Sequence, residues 1–251
     1  MKLLTILFIA LSLSLLADEK KPLKIIQVAG GCCHEYKEQM KLTSEAFKKS
    51  FNCTVDTFVE GTNRTALHSK LKEKNWSTGY DAVVLSLCFG HVKDDKFILS
   101  IVEEAAKNKK GLVFLHCSLH NFRSTKSGTS AWRKLMGLTS KGHEKAADLL
   151  CENTNTTHPI MKDFPQAHTF KAEEVYIITK KHENVKELAR AYGKKTKKWH
   201  PVIWTSQYES SKIFGTSIGH TTSTYKDKVY TDLLCRGLLW SVGRLLNNTK
   251  P

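Results

Sequence analysis

An α/β fold is predicted, a three-layer sandwich with a mostly parallel central sheet, and three observations carry that expectation. Short apolar runs alternate with helically spaced apolar residues through the first half of the chain. Each run is separated from the next by a segment long enough to cross back over a sheet, and such crossovers make neighbouring strands parallel. After residue 145 the pattern changes to closely spaced strand-like segments and ends in one helix.

The first run, KIIQVA at 24–29, stops at Gly30 and Gly31, and Tyr36, Met40, Phe47 and Phe51 then follow at helical spacing. TVDTFVE (54–60), DAVVLSLC (81–88) and GLVFLHC (111–117) read as three further strands. Between the last two, Phe97, Ile98, Ile101, Val102 and Ala105 fit a helix opened by Asp94 and Asp95. In the second half ADLLCEN (147–153), EEVYIIT (173–179) and VKELARAY (185–192) read as strands, and PVIWTSQY (201–208) with KIFGTSI (212–218) as a hairpin. A helix over about 229–247, with Val229, Leu233, Leu234 and Leu238 on its apolar side, closes the fold.

The 251 residues, 41% hydrophobic and 25% charged, exclude a disordered chain, a collagen and a polytopic membrane protein. Residues 1–17, MKLLTILFIALSLSLLA, have the charged start, apolar run and small final residue of a secretory signal peptide. The expected organisation is therefore a leader at 1–17 and a single α/β domain over 18–251, exported to the periplasm or secreted, with no integral membrane segment once the leader is cleaved. Cleavage would remove one lysine from a net charge of +15 and leave +14. That excess is spread over solvated lysines without a nucleic-acid motif, so nucleic acid is not an expected partner. Seven cysteines cannot all pair within one chain, and none forms a CxxC motif.

In an open parallel sheet chemistry sits beyond the carboxyl ends of the strands, and three segments bring histidine there. His34 lies in GGCCHEY (30–36), His116 and His120 in LHCSLHNFR (115–123), and His220 in TSIGH (216–220). Neutral imidazoles hold zinc or a similar divalent ion, so His34, His120 and His220 form one candidate metal set. Alternatively Cys117, where a strand turns sharply, is a candidate nucleophile activated by His220, with amides near Gly30 and Gly31 as an oxyanion hole. Glu173 and Glu174 open an alternating strand and face opposite sides, which offers one carboxylate to a cleft as acid or base. Arg123, Tyr176 and Trp204 join His34 and His120 as candidate substrate contacts, with Tyr36 and Tyr208 as further aromatics that could flank a sugar.

At these same segments, together with THPI (157–160), AEEVY (172–176), PVIWTSQYESSKIFGTSIGHTTST (201–224) and RGLLWSVG (236–243), the chain resembles the ThuA-like, or trehalose-utilisation, family over nearly its whole length. The resemblance implies a flavodoxin-like fold similar to class I glutamine amidotransferases, and a role in sugar metabolism on trehalose or related keto-glycosides. It places Cys117 at the amidotransferase nucleophile elbow and His220 at the catalytic histidine. Two departures argue against glutaminase chemistry: Thr222 stands where a glutamate is wanted, and Cys117 lies between His116 and Ser118 without flanking glycines. The late turn, Tyr208 to Lys212, also lacks the family's glycines and arginine. Three readings follow: a carbohydrate-modifying enzyme using His220, His116, Cys117 and Glu174, a non-catalytic sugar-binding protein, and a thiol hydrolase built on Cys117 and His220. A small carbohydrate is the expected partner, and a dimer is compatible with the sequence.

Overall fold

A computed structural model describes residues 21–245; the expected leader at 1–17 lies outside them. Strand β1 (Leu23–Gly31) leads to helix α1 (Tyr36–Ser50) and strand β2 (Cys53–Glu60). A one-turn helix α2 (Ser69–Lys72) precedes β3 (Ala82–Cys88), α3 (Asp95–Ala106) and β4 (Gly111–Leu115). Helix α4 (Ser127–Met136), β5 (Leu138–His143), β6 (Ala147–Asn153), β7 (Ala167–Glu173) and β8 (Tyr176–Lys181) follow. The chain then runs through β9 (Lys186–Gly193), β10 (Lys198–Tyr208), β11 (Ser211–Thr216) and α5 (Lys228–Ser241).

Nine strands form one sheet in the order β2-β1-β3-β4-β11-β10-β9-β6-β7, and β5 pairs with β8 in a separate ribbon. The five strands from β2 to β11 are parallel to one another, whereas β10, β9, β6 and β7 pair antiparallel. The expected hairpin is present as β10 and β11, and β11 joins the parallel half by lying along β4.

Strand alternation divides the parallel half between two cores. Leu23, Ile25 and Ala29 of β1, with Ala82 and Val84 of β3, meet Met40 and Phe47 of α1 and Leu233, Leu234 and Leu238 of α5. Ile26 and Val28, with Val83, Leu85, Leu112 and Phe114, meet Ile98 and Ile101 of α3 and Trp132 of α4 on the opposite face. Burial on both faces explains why β3 and β4 read as unbroken apolar runs. The Asp94 side chain caps α3 by accepting from the Phe97 amide at 3.0 Å. The antiparallel half is covered less completely, and Leu150, Tyr192 and Trp199 are exposed there at 51%, 42% and 42%.

Two elements differ from the sequence expectation. EEVYIIT is not one strand: β7 ends at Glu173 and β8 begins at Tyr176, so Glu174 and Val175 form a linker that passes from the large sheet to the ribbon. A two-residue alternation cannot distinguish one strand from two that meet at a break. Helix α5 stops at Ser241, shortly before Gly243 with φ of 71°. Among the described residues no helix is long and apolar enough to cross a membrane.

Candidate functional site

The parallel strands end on one rim. Gly30 and Gly31 close β1 at φ of 151° and 106°, and a Cβ on either would collide with the carbonyl of Glu60 or Cys88. Glycine there lets the chain pass between β2 and β3 and carries Cys32, Cys33 and His34 onto the rim. The expected oxyanion hole at this point is not formed, because the Gly31 amide donates to the Gly61 carbonyl at 3.3 Å. Cys32 and Cys33 are joined by a disulfide.

At the end of β4 the backbone turns sharply at His116, whose φ is 38°, and winds into a short 3-10 turn over His116–His120. Ser118 ties the turn to β3 by donating to the Leu85 carbonyl at 2.9 Å, and Asn121 accepts from the Phe89 amide at 2.7 Å. The residue at the strained elbow is thus His116 and not Cys117. Beyond β11, the buried Glu173 carboxylate accepts from the amides of Gly219 and His220 at 3.1 Å and from Thr224 Oγ1 at 2.6 Å. These bonds fix the backbone that presents the His220 ring.

The side chains surround a cavity of about 230 Å³ lined by Cys33, His34, Arg64, Cys88, Gly90, Cys117, His120, Arg123, His143, Glu174 and His220. Glu174 is its acidic centre. Its Oε2 lies 3.6 Å from both His116 Nε2 and His220 Nδ1, and its Oε1 lies 3.1 Å from His143 Nδ1. Desolvation raises the Glu174 carboxyl above the usual range, against the pull of His143 and His220. Burial likewise pushes Glu173 up to about 7 in spite of its three donors.

The imidazoles are held neutral by the same physics. Burial lowers His34 to about 4 and His120 to about 3, and holds the fully enclosed His116 well below its ordinary value. His34 Nδ1 meets the His220 carbonyl at 3.1 Å and His116 Nδ1 the Ser217 carbonyl at 2.6 Å. With a carbonyl as partner each Nδ1 carries its proton, which leaves Nε2 as a lone-pair donor. His34 Nε2 and His220 Nδ1 are buried without a hydrogen-bond partner, and one ring nitrogen each from His34, His116 and His220 lie within 4.8 Å of one another. Imidazoles oriented by backbone carbonyls, with free nitrogens turned together, have the donor set and outer support of a divalent-cation site.

The sequence profile of the ThuA family, described as trehalose utilisation, matches residues 29–241. The chain belongs to that family. Two solved ThuA-like proteins share the fold of this ThuA protein. One, from Parabacteroides merdae, is 18% identical with a TM-score of 0.70, covering 92% of this chain and 93% of its own. The other, from Bacteroides uniformis, is 16% identical with a TM-score of 0.66, covering 88% and 92%. A GMP synthase component from Thermoplasma acidophilum, 12% identical with a TM-score of 0.55 over 89% of this chain and 95% of its own, matches the glutamine amidotransferase-like architecture that the sequence resemblance implied. No curated protein matches the chain in sequence.

In this ThuA protein the expected site residues divide into three groups. His34, His120, Arg123, Glu174, His220 and Cys117 all border the cavity. His116 stands behind them, 2% exposed, in edge contact with the His34 ring at 4.8 Å. It replaces His120 in the imidazole triad, because His120 turns its Nε2 to Ser140 Oγ at 2.9 Å and packs on Tyr176 at 4.3 Å. Tyr176 is fully buried as the support between His116 and His120, with no surface for a substrate. Trp204 is far from a sugar platform: it is wholly buried, with its indole Nε1 donating to the Met136 carbonyl at 2.9 Å. An aromatic strand residue reads alike whether it faces a core or a cleft, and here the core face won.

Cys117 also departs from its expected role. Its Sγ lies 2.8 Å from Cys88 Sγ, and that contact, with burial, holds the thiol well above its ordinary value. The imidazole within 4.8 Å of its sulfur is that of His34. A buried, proton-holding thiol is the reverse of an activated nucleophile. Sequence reasoning missed His143 and Arg64. His143 sits at the end of the short strand β5, opposite Tyr176 in the ribbon, and Arg64 on the loop after β2. The loop position after a parallel strand was a signal for Arg64; nothing in KGHEK marked His143.

Proposed function

We propose that this ThuA protein is exported and acts on a small carbohydrate, a trehalose-like disaccharide or its keto derivative, at the imidazole-lined pocket. The observation that carries the reading is Glu174 held 3.1 to 3.6 Å from three imidazoles inside a cavity bordered by Arg64 and Arg123. The family's description as trehalose utilisation supports the substrate class, and the apolar leader supports export. The cavity is smaller than the roughly 300–1,000 Å³ of sites that enclose larger ligands, which suits one sugar ring held inside with the rest of the glycoside at the mouth.

In this reading Glu174 and His220 exchange the proton that the reaction moves. A carboxyl raised by burial and an adjacent imidazole are matched well enough for either to serve as acid or base near neutral pH. His34, His120 and Arg123 orient hydroxyls, and Arg64 faces the open side. His34, His116 and His220 would hold a divalent cation such as zinc, whose chemistry there is to polarise a sugar carbonyl or hydroxyl.

The test is product analysis by nuclear magnetic resonance on trehalose and on its keto derivative, run with the protein as isolated and after chelation, with elemental analysis of both samples. Conversion of either sugar, lost in His220→Ala with the fold intact, supports the enzyme. Binding of the sugars with no product on long incubation would make the chain a sugar-binding protein, and failure to bind either would overturn the substrate class. About one metal equivalent per chain, removed together with activity, would assign the triad as ligands.

A further inference from the structure

Four of the seven cysteines lie in one row at the pocket, and the carbohydrate reading makes no use of it. The Cys32–Cys33 disulfide is at the mouth, where Cys33 is exposed. Cys88 Sγ lies 3.6 Å from Cys32 Sγ, and Cys117 Sγ lies 2.8 Å beyond Cys88 on the pocket floor. Arg64 covers the outer pair, with Nε donating to Cys32 Sγ at 3.2 Å and a terminal nitrogen to Cys33 Sγ at 3.8 Å. The other three cysteines are elsewhere: Cys53 is on β2, Cys151 on β6, and Cys235 on α5 bonded to Ser50 Oγ at 3.3 Å.

We propose that Cys32, Cys33, Cys88 and Cys117 form a thiol–disulfide relay that carries two electrons between the floor of the pocket and its mouth. Exchange proceeds by attack of a thiolate on a disulfide sulfur through a mixed disulfide, and the row provides each partner in order. In the first step Cys88 gives up its proton and its sulfur attacks Cys32. A Cys32–Cys88 bond forms, the Cys32–Cys33 bond breaks, and the electron pair leaves on Cys33, which takes up the proton beside the Arg64 guanidinium. In the second step Cys117 gives up its proton and attacks Cys88. A Cys88–Cys117 bond forms, the Cys32–Cys88 bond breaks, and the pair and proton end on Cys32, which faces Arg64 Nε. One disulfide and two thiols stand on each side of the balance, so the dithiol of the floor is oxidised as the disulfide of the mouth is reduced, with no outside reagent.

The consequence is a pocket with two sulfur states: an oxidised mouth, or two free thiols beside His34 with the crosslink on the floor. The experiment maps the bridges directly. Full-length protein, with EDTA present, is equilibrated in glutathione buffers of graded ratio, quenched in acid, alkylated with N-ethylmaleimide in denaturant and analysed by peptide mass spectrometry. Wild type is expected to show both the Cys32–Cys33 and the Cys88–Cys117 bridge, with Cys53, Cys151 and Cys235 alkylated throughout. Cys117→Ser, which blocks the second step, is expected to accumulate the Cys32–Cys88 bridge, and Cys88→Ser to retain only Cys32–Cys33. Finding no Cys88–Cys117 bridge in wild type at any buffer ratio overturns the relay, and that result stands even if a variant fails to fold. A Cys117→Ser protein that folds and never shows Cys32–Cys88 overturns it as well. Neither outcome depends on whether a sugar is bound or converted.

Discussion

The two halves of the sheet do different work. The parallel half, β2 to β11, is buried on both faces and ends on one rim, and it supplies Arg64, the cysteine row, His34, His116, His120 and His220 from successive carboxyl ends. The antiparallel half is thinner, exposes Leu150, Tyr192 and Trp199, and gives the pocket its acid from the linker after β7 while the neighbouring ribbon adds His143. A scaffold of parallel strands thus holds nearly all the donors, while the single carboxylate that would set their protonation arrives from outside it.

The sharpest way to break that contrast is Glu174→Gln, which keeps the shape and removes the charge. Turnover on the converted sugar is expected to fall by about 10²- to 10⁴-fold, with thermal melting close to wild type; an active variant would return the chemistry to the parallel strands alone. Phe114→Ala, in the doubly covered half, is expected to cost about 3–5 kcal/mol in urea unfolding. The exposed Leu150→Ala in the other half should change stability by no more than about 0.5 kcal/mol. Equal losses would mean that the two halves are equally packed.

Acidity separates the halves in a third way. His34, His120 and His158 titrate at about 4, 3 and 4 in the folded protein because burial disfavours their charged forms, against about 6.5 when unfolded. Between those values the unfolded chain binds more protons, so the stability these groups contribute is present above pH 6.5 and is lost as pH falls toward 4. Glu173, raised to about 7, has the opposite sign: its contribution is present at low pH and lost as pH rises through 7. Three histidines outweigh one carboxyl, so in chelator the melting temperature is expected to drop on the order of 10 °C from pH 7 to pH 5. A flat profile would show that the rings gain protons without unfolding. The smallest effect expected is at the α3 cap, where Asp94→Ala should cost about 1 kcal/mol, read from the urea midpoint.

What the sequence disclosed follows the same division. Strands buried on both faces leave an apolar run that only a parallel sheet explains, so β1, β3, β4 and the rim that carries His34 and His220 were legible. Helix α4 was not, because SGTSAWRKLM mixes small polar residues with only a few apolar ones and opens without a side-chain cap. The break between Glu173 and Tyr176 was hidden by an alternation that continues across it. Trp204 and Tyr176 were misplaced for a related reason: an aromatic residue declares burial, not what it is buried against. The exchange of His120 for His116 in the triad depended on one backbone angle, the positive φ at His116, and side-chain type carries no record of that.

Glu173 and Glu174 are consecutive, yet they grip the same residue from two sides. The first holds the His220 amide at 3.1 Å and the second faces its ring at 3.6 Å. Any tilt of the short linker between β7 and β8 therefore carries the clamp and the reactive carboxyl together. The two proton-handling groups form one mechanical unit, and the pocket can widen for a bulkier guest on the Arg64 side without detuning the pair.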